Sequence, residues 1–138
     1  MKKLADFRVK VEPRPLQRHR KARYGNQYDP SAEDKRKLCL LSTQYAPNKP
    51  FDCALMVNYV FGFKRPKSHY RTGKFKNILK DSAPLHHIQK PDKSNLEKLV
   101  EDAFNGLFWK DDSCICLGKS MKIWTEFEAF TSVEIVKL

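Results

Sequence analysis

The sequence predicts a single α/β domain, a mixed β-sheet packed against two main helices. Three observations carry that expectation. Leu96, Leu99, Val100, Ala103, Phe104 and Leu107 recur at i, i+3, i+4 and i+7, the period of an amphipathic helix over residues 95–108. The run "FDCALMVNYVFGFKRP" is rich in β-branched and aromatic residues and stops at Pro66, as a strand would. The chain has 138 residues, 41% of them hydrophobic, enough for one compact core, and it shows no internal repeat or second domain.

The other elements follow in chain order. Residues 2–12 alternate Leu4, Phe7, Val9 and Val11 with charges and read as a strand. Residues 13–30 hold Pro13, Pro15, Arg14, Arg18, Arg20, Arg23, Gly25 and Asn26, the composition of a basic loop or short ribbon. Asp29-Pro30-Ser31 then opens a helix over about 31–43, with Leu38, Leu41 and Cys39 on its apolar side. Pro47 and Pro50 close the next connection. Ser94 and Glu97 have capping-box spacing at the entry of the second helix, and Asn105-Gly106 marks its last turn. Two strand-like runs remain, near 113–124 and 131–137.

Charge points to the partner. There are 27 Lys and Arg against 16 Asp and Glu, a formal net charge of +11. Such an excess suits a polyanion, most often nucleic acid; the bland alternative is a solvated surface or a basic component of a nucleoprotein particle. "KRPKSHYRTGKFKNILK", residues 64–80, concentrates Lys64, Arg65, Lys67, Arg71, Lys74, Lys76 and Lys80 with no acid, and interleaves Tyr70 and Phe75. It reads as a loop that is mobile when free and clamps phosphates when bound, against the reading of an ordinary surface loop. The first residues lack the apolar run of a signal peptide, and no stretch is long enough to span a membrane. Cys39, Cys53, Cys114 and Cys116 read as reduced thiols of a cytosolic protein. The C-x-C at 114–116 is not a zinc spacing.

The acids are placed against this background. "KPDKSNLEKLVEDAFNGLFWKDD" sets Asp92 before the second helix and Asp111-Asp112 after it. Helix-start and turn roles explain them blandly. A 14-residue helix is ~21 Å long, and residues 106–112 extended would reach back ~20 Å, so an antiparallel return brings Asp111 or Asp112 beside the helix start. Clustered carboxylates repel one another, and a divalent cation resolves that conflict. All-oxygen ligands suit Mg²⁺ or Mn²⁺, whose use in a basic protein is phosphodiester hydrolysis. Lys98 lies one turn past Ser94 on the same side, placed to neutralise a phosphate; its bland role is a solvated lysine.

These motifs together resemble the RusA family of Holliday-junction resolvases. Lys90, Pro91, Asp92, Asn95, Leu96, Lys98, Asp102, Ala103, Asn105, Gly106, Asp111 and Asp112 match its pattern of K-P-D-x-D-N-L-x-K, D-A-x-N-G and D-D. "PRPLQRHR", "YDPS", "RPKSHYRTGK" and "LKDSAP" extend the likeness over nearly the whole chain. The resemblance implies a RusA-like fold and a homodimeric, Mg²⁺-dependent endonuclease that nicks four-way DNA junctions symmetrically. It implies no membrane and no small-molecule cofactor, and it suggests a bacterial cytoplasm and a phage or prophage origin. It implies metal-binding roles for Asp92 and Asp112, with Asp111 beside them, and a catalytic role for Lys98. The candidates for DNA contact are Arg14, Arg18, Arg20, Lys64, Arg65, Lys67, His69, Arg71, Lys74 and Lys76. Ser94 departs from the pattern, which has aspartate there. Either Asp111, Asp102 or a water replaces that group, or the protein binds branched DNA with little or no cutting. Asp102 is ~12 Å further along the helix, a poor direct substitute. His86 and His87 read as DNA-contact or surface residues, Trp109 and Trp124 as core or dimer-interface residues, and Glu97 and Glu101 as solvated helix charges.

Overall fold

The computed structural model describes residues 1–138 apart from His19, Ala22, Tyr24 and Asn26; the Arg20 side chain also lies outside the described part. In chain order the elements are β1 (Lys2–Val9), β2 (Arg20–Lys21), β3 (Gln27–Tyr28), α1 (Ala32–Ser42), β4 (Leu55–Lys64), α2 (Lys93–Ala103), β5 (Ile115–Leu117), β6 (Ser120–Thr125) and β7 (Phe130–Lys137). The α/β class, the mixed sheet and the two helices are as the sequence predicts.

β4 is the hub of the sheet. It pairs antiparallel with β7, and β1 pairs antiparallel with β7 beyond that. β5 and β6 both run parallel to β4, at Leu55–Met56 and at Tyr59–Lys64 respectively. The expected single run near 113–124 is thus two strands, broken at Gly118. A Cβ there would lie 2.0 Å from the Val57 carbonyl oxygen, so only glycine lets the chain pass β4 so closely.

Alternation on β4 puts Leu55, Val57, Tyr59, Phe61 and Phe63 on the covered face. Leu96, Leu99 and Val100 of α2 join them in one core, with Phe104, Phe108, Trp109, Val133 and Ile135. Each such side chain contributes about 1.5–3 kcal/mol on burial. Phe7 of β1 stacks on Tyr45 at 4.7 Å and on Phe108 at 5.2 Å, which closes the core under the first strand. The expectation of core placement holds for Trp109 and Trp124.

Three boundaries differ from the sequence reading. The first strand ends at Val9, although Val11 remains buried. α2 runs Lys93–Ala103 rather than 95–108, because Phe104–Phe108 turn back on themselves around Gly106 at φ +80°. Leu107 and Phe108 still pack inward, so the apolar period continues past the helix end. On α1, Leu38 and Ser42 are buried, whereas Leu41, expected on the apolar side, is exposed. The 13–30 segment does contain a short ribbon, β2 paired with β3. Among the described residues, no helix is long and apolar enough to cross a membrane.

Candidate functional site

The start of α2 is held from two sides. The Lys122 ammonium on β6 donates to the carbonyls of Gln89 (2.6 Å) and Pro91 (2.7 Å). From the other side the 11–18 segment is strapped down. The Leu16 N–H donates to the Asn95 carbonyl at 3.0 Å, and the Gln17 N–H to the buried Ser31 hydroxyl at 2.8 Å. This strap makes one wall of a groove of about 490 Å³ lined by Glu12, Arg14, Phe63, Lys90, Asp92 and Asn95. Arg14 pairs with Glu12 at 3.2 Å on that wall.

Asp92 is the N-cap of α2 through its backbone: its carbonyl accepts from Asn95 and Leu96, and its carboxylate makes no capping bond. The capping-box expectation is therefore corrected. Ser94 sits inside the helix, exposed, and Glu97 does not reach back to it. Glu97 instead takes the Lys93 ammonium at 2.9 Å and the Ser120 hydroxyl. A β6 side chain offered a better donor than the helix start, which sequence spacing cannot show.

The chain turns back after α2, and the contact it makes on the helix is at Glu101, near its end and not beside its start as expected. The Gly106 N–H donates to the Trp109 carbonyl at 2.7 Å, and the Trp109 indole N–H to the Glu101 carbonyl at 3.1 Å. The Lys110 N–H then donates to the Phe51 carbonyl at 2.9 Å. Asp111 and Asp112 follow, and they differ. Asp111 is exposed and its carboxylate accepts the Ser113 N–H at 3.1 Å; hydrogen bonding from the Ser113 side chain, then from that N–H, holds its pKa below the ordinary value. Asp112 lies within electrostatic reach of Tyr59 and Glu101.

Glu97 and Glu101 are the residues that sequence reasoning underrated as solvated charges. Tyr59 donates to Glu101 at 3.1 Å. Burial pushes the Glu101 carboxyl pKa up, with Glu97 and Asp112 adding to it against that hydrogen bond. Burial likewise drives the Tyr59 phenol well above its usual range, with Glu101, Glu97 and Asp112 adding. The available signal was spacing: Ser94, Glu97, Lys98 and Glu101 fall at i, i+3, i+4 and i+7, one helix side. So the structure gathers Asp112, Glu97, Glu101 and Tyr59, and it sets Asp92 in the groove with Arg14 and Lys90. Lys98 is exposed on the Ser94 side. Asp102 is committed elsewhere: Lys35 of α1 bridges it and Asp29, the latter at 2.7 Å.

The basic segment has local order. Lys67–His69 and Gly73–Phe75 are short 3-10 turns, and Tyr70 bridges Leu79. Residues 71–78 are exposed throughout, including Arg71, Lys74 and Lys76. Arg65 is partly covered, donating to the Pro84 carbonyl at 2.6 Å. His69 sits edge-on to Trp124 at 4.9 Å. His87 is corrected from a surface or DNA-contact residue: it is 6% exposed and stacked on Phe63 at 4.0 Å.

The chain matches the family model of the endodeoxyribonuclease RusA over residues 7–136. It belongs to the RusA endodeoxyribonuclease family. No curated protein matches it. The RusA match spans the strap, β4, the basic segment, α2 and the Asp pair, so every candidate site residue falls inside it. Carboxylates are the right donors for the hard cation that the RusA pattern implies. Yet among the described residues no three His, Cys, Asp or Glu side chains stand together as a metal site. The carboxylates of this RusA chain thus do not fit a preformed three-ligand centre.

Proposed function

We propose that this chain is a structure-selective endonuclease that cuts branched DNA, with the four-way junction as its substrate. The observation that carries the reading is the RusA match over residues 7–136, which includes Asp92, Lys98 and Asp112. In this reading the exposed cations of residues 64–80 hold phosphates, and Arg14 and Lys90 draw a phosphodiester toward Asp92. Lys98 supplies positive charge to the phosphate as a water oxygen bonds to phosphorus and the ester bond to the leaving sugar oxygen breaks. Two symmetric nicks need two sites related by a twofold axis, so the active form is a homodimer. The reading includes a requirement for Mg²⁺, with Mn²⁺ as a substitute.

The test is cutting of a synthetic four-way junction with either ion. Asp92→Asn and Asp112→Asn should each lower the rate at least a hundredfold; variants that cut like the parent remove those residues from the chemistry. A second reading, branched-DNA binding without cutting, is favoured by Ser94, which stands where the family pattern has an aspartate. It predicts tight, salt-sensitive junction binding and no nicks with either ion. Ser94→Asp separates the two: cutting gained from a silent parent marks an impaired nuclease, and none gained supports the binding role.

A further inference from the structure

Phe127 stands in the turn between β6 and β7 and is 80% exposed. The turn is fixed rather than loose. The Arg65 N–H donates to the Thr125 carbonyl at 3.0 Å, and the Phe127 N–H to the Thr125 hydroxyl at 3.2 Å. Lys10 pairs with Glu128, the residue after Phe127, at 3.3 Å. Three residues on, Phe130 is buried with the Arg8 guanidinium 3.7 Å above its ring. Phe127 is therefore an apolar ring held out into solvent by a braced turn.

Its surroundings are cationic. Phe127 borders two grooves that share Lys64. One, of about 510 Å³, also holds Arg8 and Lys10; the other, of about 420 Å³, holds Arg65, Lys67, Tyr70 and Lys76. A single exposed ring needs no explanation by itself. A ring where two basic grooves meet fits a polyanion that also offers flat apolar faces, which is the chemistry of a nucleic acid with open bases. Glu126 and Glu128 flank the ring in sequence; Glu126 lines both grooves and Glu128 the one with Arg8 and Lys10. Their charges repel a phosphate but accept hydrogen bonds from base amino groups, so the gap between them suits a base and not the backbone.

We propose that Phe127 is a base-stacking wedge that sets the preference for branched over continuous DNA. The cations on either side hold the phosphates, and the ring packs on a base left open where stacking is interrupted. In an unbroken duplex no such face is offered. The proposal rests on the branched-DNA reading above and adds to it the residue that reads the branch.

The experiment compares the full-length parent, Phe127→Ala and Phe127→Trp without divalent ions. It uses a four-way junction carrying 2-aminopurine at the branch and a duplex of the same length. Phe127→Ala should lose roughly tenfold or more of junction affinity, the size expected of one stacking ring. Its duplex affinity and salt slope should stay those of the parent. The 2-aminopurine signal should change on binding of the parent and of Phe127→Trp, and not of Phe127→Ala. Junction preference and signal that survive in Phe127→Ala overturn the wedge and leave the branched-DNA reading intact. A parent that binds junction and duplex equally overturns both. Phe127→Ala that changes the sedimentation of the DNA-free protein assigns the ring to a protein contact and overturns the wedge.

Discussion

His87 shows how far one residue can depart from its neighbour. His86 is exposed and His87 is buried, its ring between Phe63 at 4.0 Å and Trp124 at 4.5 Å. Its backbone N–H donates to the Lys122 carbonyl at 3.0 Å, fixing the segment that leads into α2. Its ring Nδ1 is buried without a hydrogen-bond partner among the described residues. Burial, then the Lys122 charge, lowers its pKa below the ordinary 6.5. The folded state therefore holds the neutral ring, and the unfolded chain takes up the proton first as pH falls. Stability from this group is full above about pH 6.5 and declines as pH drops below it. His69 shifts the same way, from burial and then Arg65 and Lys80, so it leaves a remainder. Urea unfolding at pH 5.5, 6.5 and 7.5 should show a loss on the acid side that His87→Phe reduces but does not abolish. Equal acid slopes in parent and variant would place the titration elsewhere.

Between elements, two small contacts set where the site residues stand. Gly118 lets the chain leave β5 and enter β6 against the Val57 carbonyl. Gly118→Ala puts a methyl into backbone, where neither side can give way. It should cost about 1–3 kcal/mol and loosen the strand ends beside Tyr59 and Glu101. Thermal unfolding and amide exchange at Lys119 and Ser120 read this; an unchanged melting midpoint refutes the close passage. Lys35 is the link between the helices, reaching Asp29 and Asp102 with only 17% of its side chain exposed. Lys35→Met removes the ammonium the two carboxylates share and should cost about 1–3 kcal/mol, visible in denaturant midpoints. The elements themselves were legible: the period of α2 and the apolar run of β4 are strong local signals. Their ends were not. The apolar period carries on through Leu107 and Phe108 after the helix has stopped, and Ser94 with Glu97 spells a cap that Ser120 pre-empts.

At the scale of the molecule, the site was legible in part for the same reason. Asp92, Lys98 and the Asp111-Asp112 pair stood out by motif, and chain reach foretold a turn back after α2, which the described contacts carry to Glu101 and not to the helix start. The pairing of Glu101 with Tyr59 was not, because it joins α2 to the middle of β4 across 42 positions in the sequence. Surface charge is different, since it can be read from composition without knowing the fold. The net charge of +11 predicts polyanion binding, but only the structure shows that Lys67, Arg71, Lys74 and Lys76 are all exposed on one ordered segment. Changing all four to Gln should barely affect folding, since the one ion pair they make among the described residues, Arg71 with Asp81, is exposed and weak. DNA affinity should fall, and the log–log slope against salt should flatten by roughly 0.9 for each phosphate no longer neutralised, so by about 2 to 4 in all. Duplex and junction should weaken alike, because phosphates carry no information about branching. That separates this segment from Phe127, whose removal should spare the slope and abolish the preference. A parent slope retained by the quadruple variant would take residues 67–76 off the DNA and leave the strap around Arg14 as the main cationic surface.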